Sequence, residues 1–244
     1  MPRIVAAEAL DHLAPDDPAA RHSRRDLVRI HHAMGTRSIV SRGWRVLVAP
    51  GPERRPLRIL ELGAGDGSLL LDLARTLGPG WPPVQLTLLD RQDIVSTATL
   101  AGFAEQGWAV EVQVADVLAW AASLDDEASG TPPPRWDLIS TTLFLHHFEG
   151  DQLGLLLAAV ASRADHFFAC EPKRSWLPLA GSHLVGALGA NAVTRQDAVL
   201  SVHAGFRDHE ITAHWRPAAA TWRTREFGAG LFSHCFSAQR TETA

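Results

Sequence analysis

The stretch Arg58-Ile-Leu-Glu61-Leu-Gly63-Ala64-Gly65-Asp66-Gly67-Ser68 runs an apolar segment with an acid near its end into three alternating glycines. A helix-forming stretch follows at once. Glycines in such a place let the backbone turn tightly and approach a ligand, and the next helix offers free N–H groups. A plain strand–helix turn would need one glycine rather than three. A dinucleotide fingerprint would space them Gly-x-Gly-x-x-Gly; here the third glycine falls one place early and Ser68 takes the sixth position. Glu61 and Asp66 flank the turn and disfavour a pyrophosphate. Two acids suit a cation instead, an ammonium or a sulfonium, by charge complementarity.

Two further acids follow in series. Asp90 closes the apolar run Val84-Gln-Leu-Thr-Leu-Leu-Asp90, where a carboxylate accepts both hydroxyls of a ribose or caps the next helix. Asp116 follows Val112-Gln-Val-Ala115 and has the same two readings: it accepts an adenine amine, with Val117 and Trp120 over the ring, or it caps a short helix. His31 and His32 are adjacent on a helical stretch and do not face one another, so they are not expected to share a metal ion. No metal is expected elsewhere, and Cys170 and Cys235 form neither a CxxC pair nor a disulfide framework.

These residues need elements to position them, and the 244-residue chain suits one medium domain with a sizeable core. Its net charge of −4 gives no general drive toward nucleic acid. The longest apolar stretch, near 153–161, is too short to span a bilayer, and the N-terminus lacks the apolar core of a signal peptide. With two cysteines, a cytoplasmic location is the simplest expectation. Stretches 50–56, 78–83 and 125–134 are rich in proline and glycine and read as loops. Between them, strands are expected at Leu57–Leu62, Val84–Leu89, Ala109–Val114, Trp136–Ser140 and His166–Cys170. Helices are expected at Ser68–Leu77, Ile94–Gln106, Val117–Ala122 and Gln152–Ser162. This alternation predicts an α/β fold, a mostly parallel sheet covered on both faces. Ile211–Arg216 and Leu231–Ala238 read as a closing antiparallel pair. Before residue 50, apolar positions at helical spacing predict two or three packed helices. Arg21–Arg45 carries seven arginines against Asp26 alone; it either closes over an anionic ligand or forms a solvated face.

The ordered series Glu61-x-Gly63-x-Gly65-x-Gly67, Asp90 and Ala115-Asp116-Val117 resembles the motifs of class I S-adenosylmethionine-dependent methyltransferases. So do Trp136 through Leu145-His146-His147-Phe148, then Glu171-Pro172, and then Ala204-Gly205-Phe206. The likeness covers roughly 57–240 and is nearest to the ubiquinone and menaquinone biosynthesis subgroup. It implies a Rossmann-like, seven-stranded, mostly parallel sheet with an antiparallel last strand, a helical cap at 1–50, a methyltransferase domain at 51–244, and a helical insertion at 172–205 over the acceptor site. It implies S-adenosyl-L-methionine as cofactor. Gly63, Ala64, Gly65 and Gly67 would lie against its methionine part, with Glu61 near its ammonium. Asp90 would take the ribose with Arg91 beside the adenine, Asp116 and Val117 would hold the adenine, and Thr141 and Leu143 would line the sulfonium side. The expected acceptor is a small aromatic molecule, phenolic or polyketide-like, methylated on oxygen. Neither nucleic acid nor membrane is expected as a partner; a homodimer is. For a phenol, His146 is the preferred general base, because only one of two successive residues in an extended segment faces the ligand; His183 is the second candidate. The alternatives are C-methylation of a quinone-type ring, a cofactor-binding scaffold without turnover, and an NAD(P)-dependent oxidoreductase.

Overall fold

The computed structural model describes residues 1–48, 55–123, 135–217 and 221–241. The expected loop at 125–134, and residues 50–54 of the loop at 50–56, lie outside them. Five strands, Leu57–Leu62 (β1), Val84–Asp90 (β2), Trp108–Val114 (β3), Trp136–Thr142 (β4) and Ala164–Pro172 (β5), pair in parallel. Ser233–Arg240 (β7) runs antiparallel beside β5, and Trp222–Ala229 (β6) pairs with its far edge. The spatial order is β3-β2-β1-β4-β5-β7-β6. The apolar runs of β1, β2, β4 and β5 are buried because helices cover both faces of the sheet.

One face packs against Thr36–Leu47 (α2), Ser68–Leu77 (α3) and Thr97–Glu105 (α4); its core holds Trp44, Ile59, Leu73, Leu86, Phe103 and Phe168. The other packs against Val117–Ala122 (α5) and Gly150–Arg163 (α6), around Leu60, Leu62, Leu156, Phe167 and Phe236. Ile59 and Leu60 enter opposite cores, as a period of two requires. Pro18–Met34 (α1) precedes α2. Gly35 turns the chain between them at φ +68°, where its N–H closes back on the His31 and His32 carbonyls. The chain after β5 forms Trp176–Leu184 (α7) and Ala192–Ala204 (α8).

The terminal pair differs from the sequence reading. Ile211–Arg216 was expected as a strand, but Glu210–His214 forms a short helix (α9) whose Ile211 and Trp215 both enter the second core. Their spacing of four is helical, and the Trp222–Ala229 run, with Arg223, Arg225 and Gly228 exposed, supplies the edge strand instead. The expected Leu231–Ala238 strand begins two residues later, after a turn with Gly230 at φ +63°.

The strand order switches from one side of β1 to the other between β1 and β4, the usual ligand edge of such sheets. Leu62 pairs with both Leu89 and Thr141, so Gly63, Asp90 and Thr142 emerge side by side at that edge. Helix α2 is locked beneath it by Trp44, which is fully buried and donates its Nε1–H to Ser140 Oγ at 3.2 Å. Trp44→Ala leaves a large void there and should lower the stability read from urea unfolding by about 3–5 kcal/mol.

Candidate active site

A crevice of about 690 Å³ opens at the carboxyl edge of β1, β2 and β4, within the size range of small-molecule sites. On one side it is lined by Glu61, Gly63, Ala64, Gly65, Asp66, Asp90, Arg91, Asp116 and Val117. Sequence reasoning brought these together from three separate strand ends. Residues of α1 close the roof, among them Arg24, Leu27 and His31. The opposite wall is the stretch Thr142–Phe148 together with the N-terminal segment, including Glu8 and Asp11.

The three glycines differ in their work. Gly63 stands at φ +70°, and a Cβ there would meet the Phe144 ring at 2.1 Å. Gly65, at φ +56°, has open space where a Cβ would stand, and its N–H donates to Asp90 Oδ2 at 2.8 Å. Gly67 does not line the crevice; it packs under α3, near Leu88 and Thr99. Asp90 also accepts the Gln92 N–H through Oδ1, so it braces the glycine turn while keeping lone pairs toward the crevice. Asp116 caps α5, with Oδ1 accepting from the Leu118 and Ala119 amides.

Glu61 is 2% exposed, and its Oε2 has no hydrogen-bond partner among the described residues. Burial pushes its pKa up to about 8, against the pull of the Ser140 and Thr142 hydroxyls. A neutral carboxyl with an unpaired oxygen stands beneath the glycine turn. His31 is pushed down to about 4 by burial, against the charge of Asp66, and stays neutral.

Where β4 ends, Leu143 adopts φ +53° and Leu145–His147 forms one 3-10 turn. Both histidines therefore line the crevice, with ring centroids 4.3 Å apart, whereas an extended chain would have presented only one. Thr141, expected beside the sulfonium, is wholly buried and turns its hydroxyl to Glu171 at 3.4 Å; Thr142 and Leu143 reach the crevice in its place. His183 is not brought to this site. It borders a separate hollow beside Ala192 and Arg195, so its expected role as a base has no geometric support.

His146 is 3% exposed. Its Nδ1 is 2.9 Å from Glu171 Oε2, and its Nε2 is 3.3 Å from Glu8 Oε1. Burial alone would lower its pKa; the two carboxylates overcome this and raise it to about 9. Such an imidazole already carries a proton at neutral pH. It is not the free base that the sequence suggested. Burial works against the Glu8 carboxylate, but the His146 and Ser201 contacts hold it below its ordinary range. His147 is lowered by burial and by the adjacent His146 charge. Arg91, expected beside an adenine, lines the crevice and donates to the Asp11 carbonyl.

Glu8, Asp11 and Phe144 were not singled out from sequence. Phe144 was readable as an aromatic residue beside the histidines. Glu8 carried no local signal, because 138 residues separate it from its partner His146.

No protein-family model matches this sequence, and no curated protein matches it significantly. Solved structures do match in fold. An O-methyltransferase family protein from Burkholderia thailandensis superposes with a TM-score of 0.58 at 14% identity, covering 94% of this chain and 62% of that one. The plantazolicin methyltransferase BpumL, in complex with a pentazolic substrate analogue and S-adenosylhomocysteine, gives 0.58 at 12% identity and 92% of both chains. The mitomycin 7-O-methyltransferase MmcR gives 0.53 at 19% identity, over 95% of this chain and 60% of that one. The chain thus spans about three fifths of the length of two of these three neighbours. It has the Rossmann-like fold of class I methyltransferases. Among the described residues no helix is long and apolar enough to cross a membrane.

Replacement of the two crevice glycines separates conformation from contact. Gly65→Ala meets only the left-handed penalty, about 1–2 kcal/mol. Gly63→Ala adds the clash with Phe144, a further 1–3 kcal/mol by the usual cost of overpacking. Chemical denaturation should rank Gly63→Ala as the less stable of the two.

Proposed function

We propose that the chain is an S-adenosylmethionine-dependent methyltransferase that methylates a hydroxyl of a small aromatic acceptor. The observation that carries this reading is Glu61: a buried carboxyl with an unpaired oxygen, set under a glycine turn and next to the crevice. A cationic ligand would ionise and satisfy it; a diphosphate would meet Asp66, Asp90 and Asp116 together and be repelled. The residues fit the cofactor. Gly65 leaves a cradle that a Cβ would fill, Asp90 directs its carboxylate at the place of a ribose, and Asp116 with Val117 borders the place of an adenine.

S-adenosyl-L-methionine, when bound, supplies an electrophilic methyl group on its sulfonium. The protein's part is alignment in a dry site. Glu61 and the Gly63–Gly65 backbone fix the amino-acid end, and Asp90 and Asp116 fix the nucleoside end. The α1 helix, through Leu27 and His31, screens the crevice from water. On the acceptor side Phe144 and Phe148 meet edge to face at 5.2 Å and, with His147, offer aromatic surface to a ring. His146, clamped by Glu8 and Glu171, orients this wall. The lean toward oxygen draws support from the neighbours' names, two of which are O-methyltransferases.

Calorimetry with S-adenosylhomocysteine tests the reading. Asp90→Ala should weaken binding by about 1–3 kcal/mol through lost charged hydrogen bonds; unchanged affinity would overturn the ribose assignment. A pH series tests Glu61. Its raised pKa means that a cation must displace its proton, so affinity should rise by up to about tenfold per pH unit below pH 8 and level off above it. Glu61→Gln should flatten that component of the profile, and a wild-type profile in this variant would count against the pairing.

A further inference from the structure

We propose that Glu8, His146 and His147 hold a divalent transition-metal ion on the acceptor wall of the crevice, where it would bind the acceptor's hydroxyl. Each of the three side chains offers one ligand atom, and these atoms all lie within 4.8 Å of one another. His146 Nε2 and Glu8 Oε1 stand 3.3 Å apart. That is long for a charge-assisted hydrogen bond, which closes to about 2.7–2.9 Å. It equals the separation, about 3.3 Å, of two ligands bonded at about 2.0–2.1 Å to one tetrahedral ion.

The surroundings match a metal centre in a second, independent respect. Histidine ligands are held by a carboxylate on the ring nitrogen that does not bind the ion, which fixes ring orientation and raises ligand basicity. His146 has this in Glu171, wholly buried and 2.9 Å from Nδ1; the ion would take the place of the Nε2 proton that faces Glu8, and that proton leaves to water. His147 has a looser counterpart in Asp11, whose Oδ2 lies 3.5 Å from Nδ1. Glu8 is in turn oriented by the Ser201 hydroxyl. Two imidazoles and one carboxylate suit zinc-like ions better than magnesium or calcium, and three protein ligands leave a fourth position open. That position faces the crevice, since all three residues line it. A hydroxyl coordinated there gives up its proton more readily: its O–H bond breaks, the electron pair stays on oxygen, and the proton leaves to water.

What the ion does rests on the methyl-transfer reading; whether it binds does not. The full-length protein, stripped with a chelator, is titrated with Co²⁺ as a spectroscopic probe. Wild type should take up one Co²⁺ per chain with visible ligand-field bands that Zn²⁺ abolishes. His147→Ala and Glu8→Gln should each weaken binding by at least about tenfold, and Glu171→Gln, acting through His146, by about 10–100-fold. Glu8→Gln keeps the shape of the side chain, and His147 is partly exposed, so both variants should fold; S-adenosylhomocysteine binding, measured in parallel, should be unchanged in them. No stoichiometric uptake by wild type, or wild-type uptake in both variants, overturns the metal site. Loss of cofactor binding in wild type with Co²⁺ uptake intact would instead sink the methyl-transfer reading and leave the site standing.

Discussion

The Glu171 carboxylate holds the reactive wall together. It is wholly buried at the end of β5, and its two oxygens accept from the backbone amides of Phe144, Leu145 and His146 as well as from the His146 ring. Buried amides without partners would cost about 1–3 kcal/mol each, so a single side chain answers for most of this turn. The same grip offsets the left-handed conformation of Leu143, whose amide is tied to the Cys170 carbonyl at 2.8 Å. Once the turn is fixed, Phe144 lies against Gly63, and the two walls of the crevice are in contact at its base. One carboxylate on β5 thereby sets the relation between β1 and the segment after β4.

The N-terminal segment is strapped over that turn by polar contacts. Arg3 donates to the carbonyls of Ala204, His146 and Phe148, and its guanidinium lies 4.3 Å over the Phe206 ring. Asp197 accepts the amides of Ala9 and Leu10 at 2.8 and 2.9 Å. Glu8 sits between these two anchorages and has little freedom to leave His146. Charge is thus sorted along the crevice. Acids under and beside the glycine turn await a cation, while on the far wall acids bracket two imidazoles.

Much of this was legible in the sequence because it is local. β1, α3 and α5 fall at their expected residues, since periodicity, glycines and caps all lie within a few positions of one another. The series Glu61, Gly63, Gly65, Asp90 and Asp116 reached one edge because parallel strands bring their carboxyl ends together whatever the side chains between them. The misses are non-local or conformational. Thr141 misses the crevice because its side of β4 faces the buried Glu171 carboxylate, and the two histidines face one way only because a 3-10 turn replaces the extended chain. The edge strand β6 was hidden by its charge, with three of its eight residues Arg or Glu, as suits a strand that must not pair further.

The segment after β5 serves the crevice through positioning contacts. His183 suggested itself because its segment was expected to cover the acceptor site, yet it lies beside a different hollow. The useful residues of that segment are Asp197 and Ser201, four apart on α8 and therefore on one helical face. Asp197 captures the backbone on the C-terminal side of Glu8, and Ser201 captures the Glu8 side chain itself. Helix α8 is held in turn by α1, where Asp26 accepts from the Asn191 amide and the Thr194 hydroxyl. The N-terminal helix, the insertion and the strap form one closed chain of polar contacts around Glu8. Loosening any of them would act first on the His146 pair, and it would reach the glycine turn only through the Phe144–Gly63 contact at the base of the crevice.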